Sequence, residues 1–265
     1  MKSLVPAEFL RFFGTRLWLL HLAAALACGL GLVGLVAVVG PENSDPPLPP
    51  LGSPEGAGVL LQFVQMTLFV PAALGTFAIT SEFRHRTIGS TFLAEPRRGR
   101  VMAAKLTVHG VIGLAYGVIL AAGAGAALWI GSLLHGTTVG LAAGDLVSTL
   151  TRIAVAAAVH MLLGVTIGAL VRHQIAGLVV VAGYFYLLEP MLMLLPGVNQ
   201  IYGILPGGAA AALTRSSWLS EMVAQQLGGT SALLLPAWAG AAVLAGYALV
   251  AAIAAVWWPL RRDLV

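Results

Sequence analysis

Leu17–Val39 reads LWLLHLAAALACGLGLVGLVAVV and contains no Asp, Glu, Lys or Arg. A bilayer core takes about 20 apolar residues as one helix, so this stretch predicts a membrane span. Five further stretches share its character: Gly58–Ile79, Leu106–Ile130, Ile153–Val171, Ile175–Leu195 and Leu235–Trp258, with Glu189 the only charged side chain in any of them.

The chain has 265 residues, 59% hydrophobic and 9% charged, whereas a soluble domain carries about 25% charged residues. That leaves too little polar surface for a water-soluble fold. With 32 glycines and abundant alanine, helices can approach closely in lipid, where packing contact replaces the hydrophobic effect. A membrane β-barrel needs alternation in runs of about ten residues, and these runs are longer and unbroken. The expected fold is an all-α polytopic membrane protein of six transmembrane helices, a single transmembrane domain over residues 1–265.

Six spans place both termini on one side, and the basic residues select it. Lys2, Arg11, Arg16, Arg84, Arg86, Arg97, Arg98, Arg100, Lys105, Arg172, Arg261 and Arg262 collect on one face, against Arg152 and Arg215 on the other. Both termini are therefore expected in the cytoplasm. The net charge of +4 reflects this anchoring and points to no nucleic-acid partner. Val5, Phe9, Phe12 and Phe13 fall at helical spacing with Glu8 and Arg11 off the stripe, which predicts an interfacial helix or an amphipathic start to the first span. Trp257 and Trp258 before Arg261 and Arg262 read as an interfacial anchor.

The loop Gly40–Gly56 is rich in proline and is expected to be an extended connector. In the outer segment 196–236, Ile204–Leu213 and Trp218–Leu227 are apolar but too short to span. Bounded by Gly and Pro, they suit re-entrant or interfacial helices. Cys28 is the single cysteine, so neither an internal disulfide nor a cysteine-based metal site is possible. Ala25–Cys28 faintly matches a lipoprotein cleavage site, but the apolar run continues to Val39, and an uncleaved span is expected.

The segment from Ser81 to Arg100 reads SEFRHRTIGSTFLAEPRRGR. Mixed charges hold it at the aqueous surface, Ile88, Phe92 and Leu93 give it an apolar side, Pro96 stops it, and the arginines pin the next span. A basic tether serving topology alone would need only the arginines. In Glu82, Thr87, Leu93, Pro96, Arg100 and Lys105 the chain resembles the type-2 ABC transporter permeases (ABC-2 family), bacterial six-span exporters. Close relatives in that family commonly carry glycine where this chain has Arg86. The resemblance implies that Glu82–Leu93, within the loop 81–105, is a coupling helix seated on a separate ABC ATPase subunit. Glu82, Phe83, Arg84, His85, Arg86 and Thr87 would then make the contact. It also implies a second permease copy or paralogue, a location in the bacterial cytoplasmic membrane, and outward movement of an amphipathic, peptide, lipid-linked or drug-like substrate.

No Gly-x-x-x-x-Gly-Lys-Ser/Thr sequence occurs, so ATP and Mg are expected in the partner and no cofactor in this chain. No His-Glu-x-x-His or cysteine cluster is present, so neither a metal site nor enzyme chemistry is expected. Within the spans, Gln62 and Gln65 share a helix face; with Thr67, Thr76, Thr80 and Tyr116 they edge either a cavity or a helix contact. His160 either lines a substrate path or hydrogen-bonds between helices. Glu189, next to Pro190, marks an outer gate or a proton or cation site, or else caps a broken helix at the interface. Asp145 and Arg152, two turns apart, are expected to pair. The rival reading is an ATP-independent carrier, or a non-transporting assembly or immunity subunit. A carrier would couple to an ion through membrane carboxylates, and Glu189 alone is suitably placed.

Overall fold

The computed structural model describes residues 4–45, 47–193, 195, 198–217, 220–221 and 233–258. Lys2, Arg261, Arg262 and most of Trp218–Leu227 lie outside them. The described residues form helices and connecting loops, with no strand. Among the described residues six helical stretches are long and apolar enough to cross a membrane: Trp18–Val39, Pro54–Arg84, Arg98–Leu134, Ala143–Val171, Gln174–Leu192 and Ala237–Trp257. By length and composition the chain has the character of a multi-pass membrane protein.

In chain order the helices are α1 (Leu4–Phe13), α2 (Leu17–Val39), α3 (Pro54–Phe63), α4 (Phe69–Arg84), α5 (Thr87–Ala94), α6 (Arg98–Leu134) and α7 (Ala143–Val171). They continue with α8 (Gln174–Ala182), α9 (Glu189–Met193), α10 (Val198–Ile201), α11 (Pro206–Thr214) and α12 (Ala237–Trp257). The third crossing overruns its apolar run: α6 has 37 residues. At 1.5 Å per residue it is about 55 Å long, well beyond a hydrocarbon core of about 30 Å. Hydropathy detects only the greasy middle of such a helix, because its first turns carry Arg98, Arg100 and Lys105.

α6 and α7 form the centre. α6 packs against α2 and α7, α7 packs against α4, and α12 lies against α7 and α11. The α4–α7 contact is a backbone approach between reciprocal glycines. A Cβ on Gly164 would lie 1.8 Å from the Ala72 carbonyl oxygen, and one on Gly75 would lie 2.1 Å from that of Met161. Thr76 donates across this contact to the Gly164 carbonyl (3.1 Å) and to its own-helix Ala72 carbonyl (3.0 Å). Small residues and a bridging hydroxyl are what holds helices together in lipid. Leu35 on α2, Val179 on α8 and Val250 on α12 remain exposed, as suits surfaces that face acyl chains.

Two crossings are irregular. The second contains a 3-10 stretch, Val64–Leu68, between α3 and α4, and the fifth contains a π-helical stretch, Gly183–Leu188, between α8 and α9. Both lie beside the same cavity. The proline-rich loop is more than a connector. Ser53 caps α3 by accepting from the Gly56 N–H (3.0 Å), Leu51 is buried in the core, and its carbonyl accepts from Gly140 N–H at 3.2 Å. Proline fixes φ without preventing side-chain burial, so an extended loop still docks.

α1 packs Val5, Phe9 and Phe12 against the core, while Leu10 and Phe13 stay exposed. Glu8, expected off the apolar stripe, faces inward and is buried. A cation waiting on α6 reverses the simple amphipathic reading of this helix.

Candidate functional site

Two regions concentrate polar chemistry. The first is an ionic cluster where α1, α4, α5 and α6 meet. Lys105 Nζ lies 3.0 Å from both Glu8 carboxylate oxygens and also donates to Glu82 Oε1. Arg11 Nη1 reaches Glu82 Oε1 at 2.8 Å and Glu8 Oε1 at 3.3 Å, and its Nη2 donates to Thr91 Oγ1 at 3.3 Å. Side-chain exposure is 2% for Lys105, 6% for Glu82 and 7% for Glu8, against 41% for Arg11. Two anions and two cations therefore balance in a largely dry site, and losing one charge strands the others.

This cluster changes where the predicted contact residues stand. The expected single helix Glu82–Leu93 is divided: α4 runs on to Arg84, and α5 starts only at Thr87. Arg86 between them is left-handed, with φ 57° and ψ 20°, a conformation that strains a residue bearing a Cβ and suits glycine. Glu82 belongs to the interior, and Phe83 is half-buried beneath the Arg172 guanidinium, 5.8 Å from its ring centroid. Arg84, His85, Arg86 and Thr87 are exposed. α5 turns Ile88 and Thr91 inward and leaves Leu93 86% exposed. Arg98 covers Phe92, 5.2 Å from the ring centroid. The sequence signal for the cluster was present in Glu8, Glu82 and Lys105, but pairing them requires knowing that α1 folds back onto α6.

The second region is a cavity of about 390 Å³, within the range typical of small-molecule sites. It brings together Gln62, Gln65, His160 and Glu189, four residues from three different crossings. Phe69, Phe185 and Tyr186 supply aromatic wall. Tyr186 donates its hydroxyl to the Met66 carbonyl in the 3-10 stretch, and its ring meets Phe69 edge-on at 5.6 Å. The Phe185 and His160 rings lie 5.3 Å apart. The π-helical stretch thus places successive aromatic residues at the cavity, as such bulges often do at functional sites.

Glu189 is 2% exposed and is held from a neighbouring helix. Its Oε2 accepts from Gly207 N–H and its Oε1 from Gly208 N–H, each at 2.8 Å. Those amides belong to the first turn of α11, whose unsatisfied N–H groups and dipole favour an anion. A Cβ on Gly207 would sit 2.6 Å from the carboxylate, so a side chain there would displace the Glu189 carboxylate from this position. The carboxylate caps a helix, as the interfacial reading expected, but the helix is α11 and not its own broken segment. Tyr202, at the edge of the same cavity, has its phenol pushed above the ordinary value by burial and then by the Glu189 charge.

His160 directs Nδ1 to the Ala156 carbonyl at 2.8 Å. Gln62 accepts from Ser216 at 3.4 Å. Thr67 donates to the Val64 carbonyl and Thr80 to the Thr76 carbonyl, each at 2.7 Å, so these hydroxyls serve their own helices. Tyr116 is buried against Cys28. Among the described residues Asp145 and Arg152 form no ion pair within hydrogen-bonding reach.

No family model matches the chain, and no curated protein matches it.

Proposed function

We propose that this chain is the membrane-spanning permease subunit of an ATP-driven transporter, powered by a separate ABC ATPase and moving an amphipathic molecule across a bacterial cytoplasmic membrane. The observation that carries the reading is the placement of α5. It is a short helix between the second and third crossings, with Leu93 exposed, and it is tied through Thr91 to the cluster that joins α1, α4 and α6. A push on α5 would reach three helices at once, because buried charge pairs resist separation. The left-handed Arg86 supports the resemblance to type-2 ABC permeases, since it occupies the position where that family commonly has glycine.

On this reading Arg84, His85, Arg86, Thr87 and Leu93 touch the ATPase, while Glu82 transmits force from inside. The cytoplasm lies on the α5 side, and a second copy or a paralogue completes the pore. α9, α10 and α11 serve as re-entrant or interfacial pieces under the outer face. The cavity between the second, fourth and fifth crossings is the substrate path. An ATP-independent carrier finds less support, because the Glu189 carboxylate is already committed to two backbone amides.

The test is cross-linking of a Leu93→Cys variant in native membranes, followed by identification of the adduct. The expected product joins the chain to a protein bearing a phosphate-binding loop. Arg84→Glu together with Arg86→Glu should abolish that adduct and substrate-stimulated ATP hydrolysis while the crossings remain inserted. Unchanged hydrolysis and transport in the double variant would remove α5 from the coupling path.

A further inference from the structure

The walls of the 390 Å³ cavity differ in which hydrogen-bonding groups the protein has already used. Tyr186 gives its hydroxyl proton to the Met66 carbonyl, and Ser216 donates to Gln62. Each Glu189 oxygen accepts from one backbone amide of α11. No lysine or arginine lines the cavity among the described residues.

Two groups remain. A carbonyl can only accept, so the contact with Ala156 puts the proton of the neutral imidazole on His160 Nδ1 and leaves Nε2 as an acceptor. Among the described residues Nε2 has no hydrogen-bond partner, and neither does the Gln65 amide, although both residues line the cavity. Around them stand the rings of Phe69, Phe185 and Tyr186.

We propose that the cavity binds an uncharged, largely apolar molecule bearing a hydroxyl or N–H group, which donates to His160 Nε2 while the aromatic walls cover the remainder. An anion is disfavoured there, because Glu189 already brings negative charge and no lysine or arginine among the described residues lines the cavity to balance a second; a cation gains little, because the Glu189 charge is shared with two amides at the N-terminus of α11. A donor on the ligand satisfies an acceptor that otherwise stays unmet, and such unmet groups are the main source of discrimination between near-identical ligands. This deepens the transport reading by naming the chemical class of its cargo, and rests on that reading only for the word cargo.

The test is equilibrium binding to the full chain in lipid nanodiscs, with uptake by empty nanodiscs subtracted and no ATPase present. The probes are 2-naphthol, its methyl ether 2-methoxynaphthalene, 2-naphthoate and 2-naphthylmethylammonium. The expected result is that 2-naphthol binds about tenfold more tightly than the ether, the worth of one net hydrogen bond, and more tightly than either ion. His160→Phe should lower 2-naphthol to the level of the ether and leave the ether unchanged. Gln65→Trp, which fills the cavity, should remove binding of both neutral probes.

Equal affinity for 2-naphthol and the ether, or stronger binding of either ion, overturns the proposed chemistry. Binding that survives Gln65→Trp overturns the location. If His160→Phe does not fold, the probe series on the natural chain and the Gln65→Trp variant still decide. Preference for 2-naphthol in a chain that captures no ATPase would sink the permease reading and spare this one. Coupling to an ATPase without that preference would do the reverse.

Discussion

Lys105 Nζ donates to the Glu82 carboxylate across 23 residues of chain, so the segment between the second and third crossings is closed by a charge pair at its base. Glu8 and Arg11, from the other end of the sequence, complete the cluster. α5 sits on this base, tied to it where Arg11 donates to Thr91 Oγ1 at 3.3 Å.

Lys105→Met should be strongly destabilising. It leaves Glu8 and Glu82 buried with only the partly exposed Arg11 to balance them, and breaking such a pair typically costs about 3–5 kcal/mol. Thermal unfolding of the purified protein in detergent should show the loss. Adding Glu8→Gln should recover part of it, and no recovery would argue against direct charge coupling.

Arg86→Gly should stabilise the isolated chain by about 1 kcal/mol, because it relieves a left-handed residue that bears a Cβ. Arg86→Val should do the opposite. Comparison of melting temperatures is sufficient. If contact with an ATPase uses the guanidinium, the glycine variant should also couple less well, so its gain in stability and its loss of activity would appear in one protein.

Glu189→Gln keeps an acceptor for one amide of α11 but removes the negative charge from the helix N-terminus. A cost of about 1–2 kcal/mol is expected, seen as a lower melting temperature. Transport driven by a proton or sodium gradient should be absent in the natural chain and equally absent in the variant. Gradient-driven transport that disappears in Glu189→Gln would favour the carrier reading instead.

Gly164→Ala should force α4 and α7 apart, since the added methyl would meet the Ala72 carbonyl at 1.8 Å. Overpacking of this kind costs about 1–3 kcal/mol. Gly89→Ala on α5, where nothing lies within 4 Å, is the matched control and should leave stability unchanged or slightly raised. Similar losses in both variants would mean that the backbone approach is not the cause.

The crossings were legible because burial in lipid is nearly additive along the chain. Each apolar residue favours insertion wherever it stands, and Leu17–Val39 declares itself without reference to any other segment. The ends were less legible: α6 begins at Arg98, eight residues before its apolar run, because a helix continues into water on its hydrogen bonds alone. Gln62, Gln65, His160 and Glu189 were each recognisable as polar residues in greasy surroundings, yet their spacing carried no sign that one cavity gathers them. The left-handed turn at Arg86 carried no local signal, because arginine, like any residue with a Cβ, has no preference for positive φ.

What the sequence determined by itself was the helical class and six stretches long and apolar enough to cross a membrane, both sums over local composition. What only the tertiary structure decided was the partnership of polar groups. Glu8 meets Lys105 across 97 residues, and Glu189 meets the α11 amides from a different helix. An unpaired charge in a dry interior is so costly that its partner fixes its role, and that partner is chosen by how the helices pack.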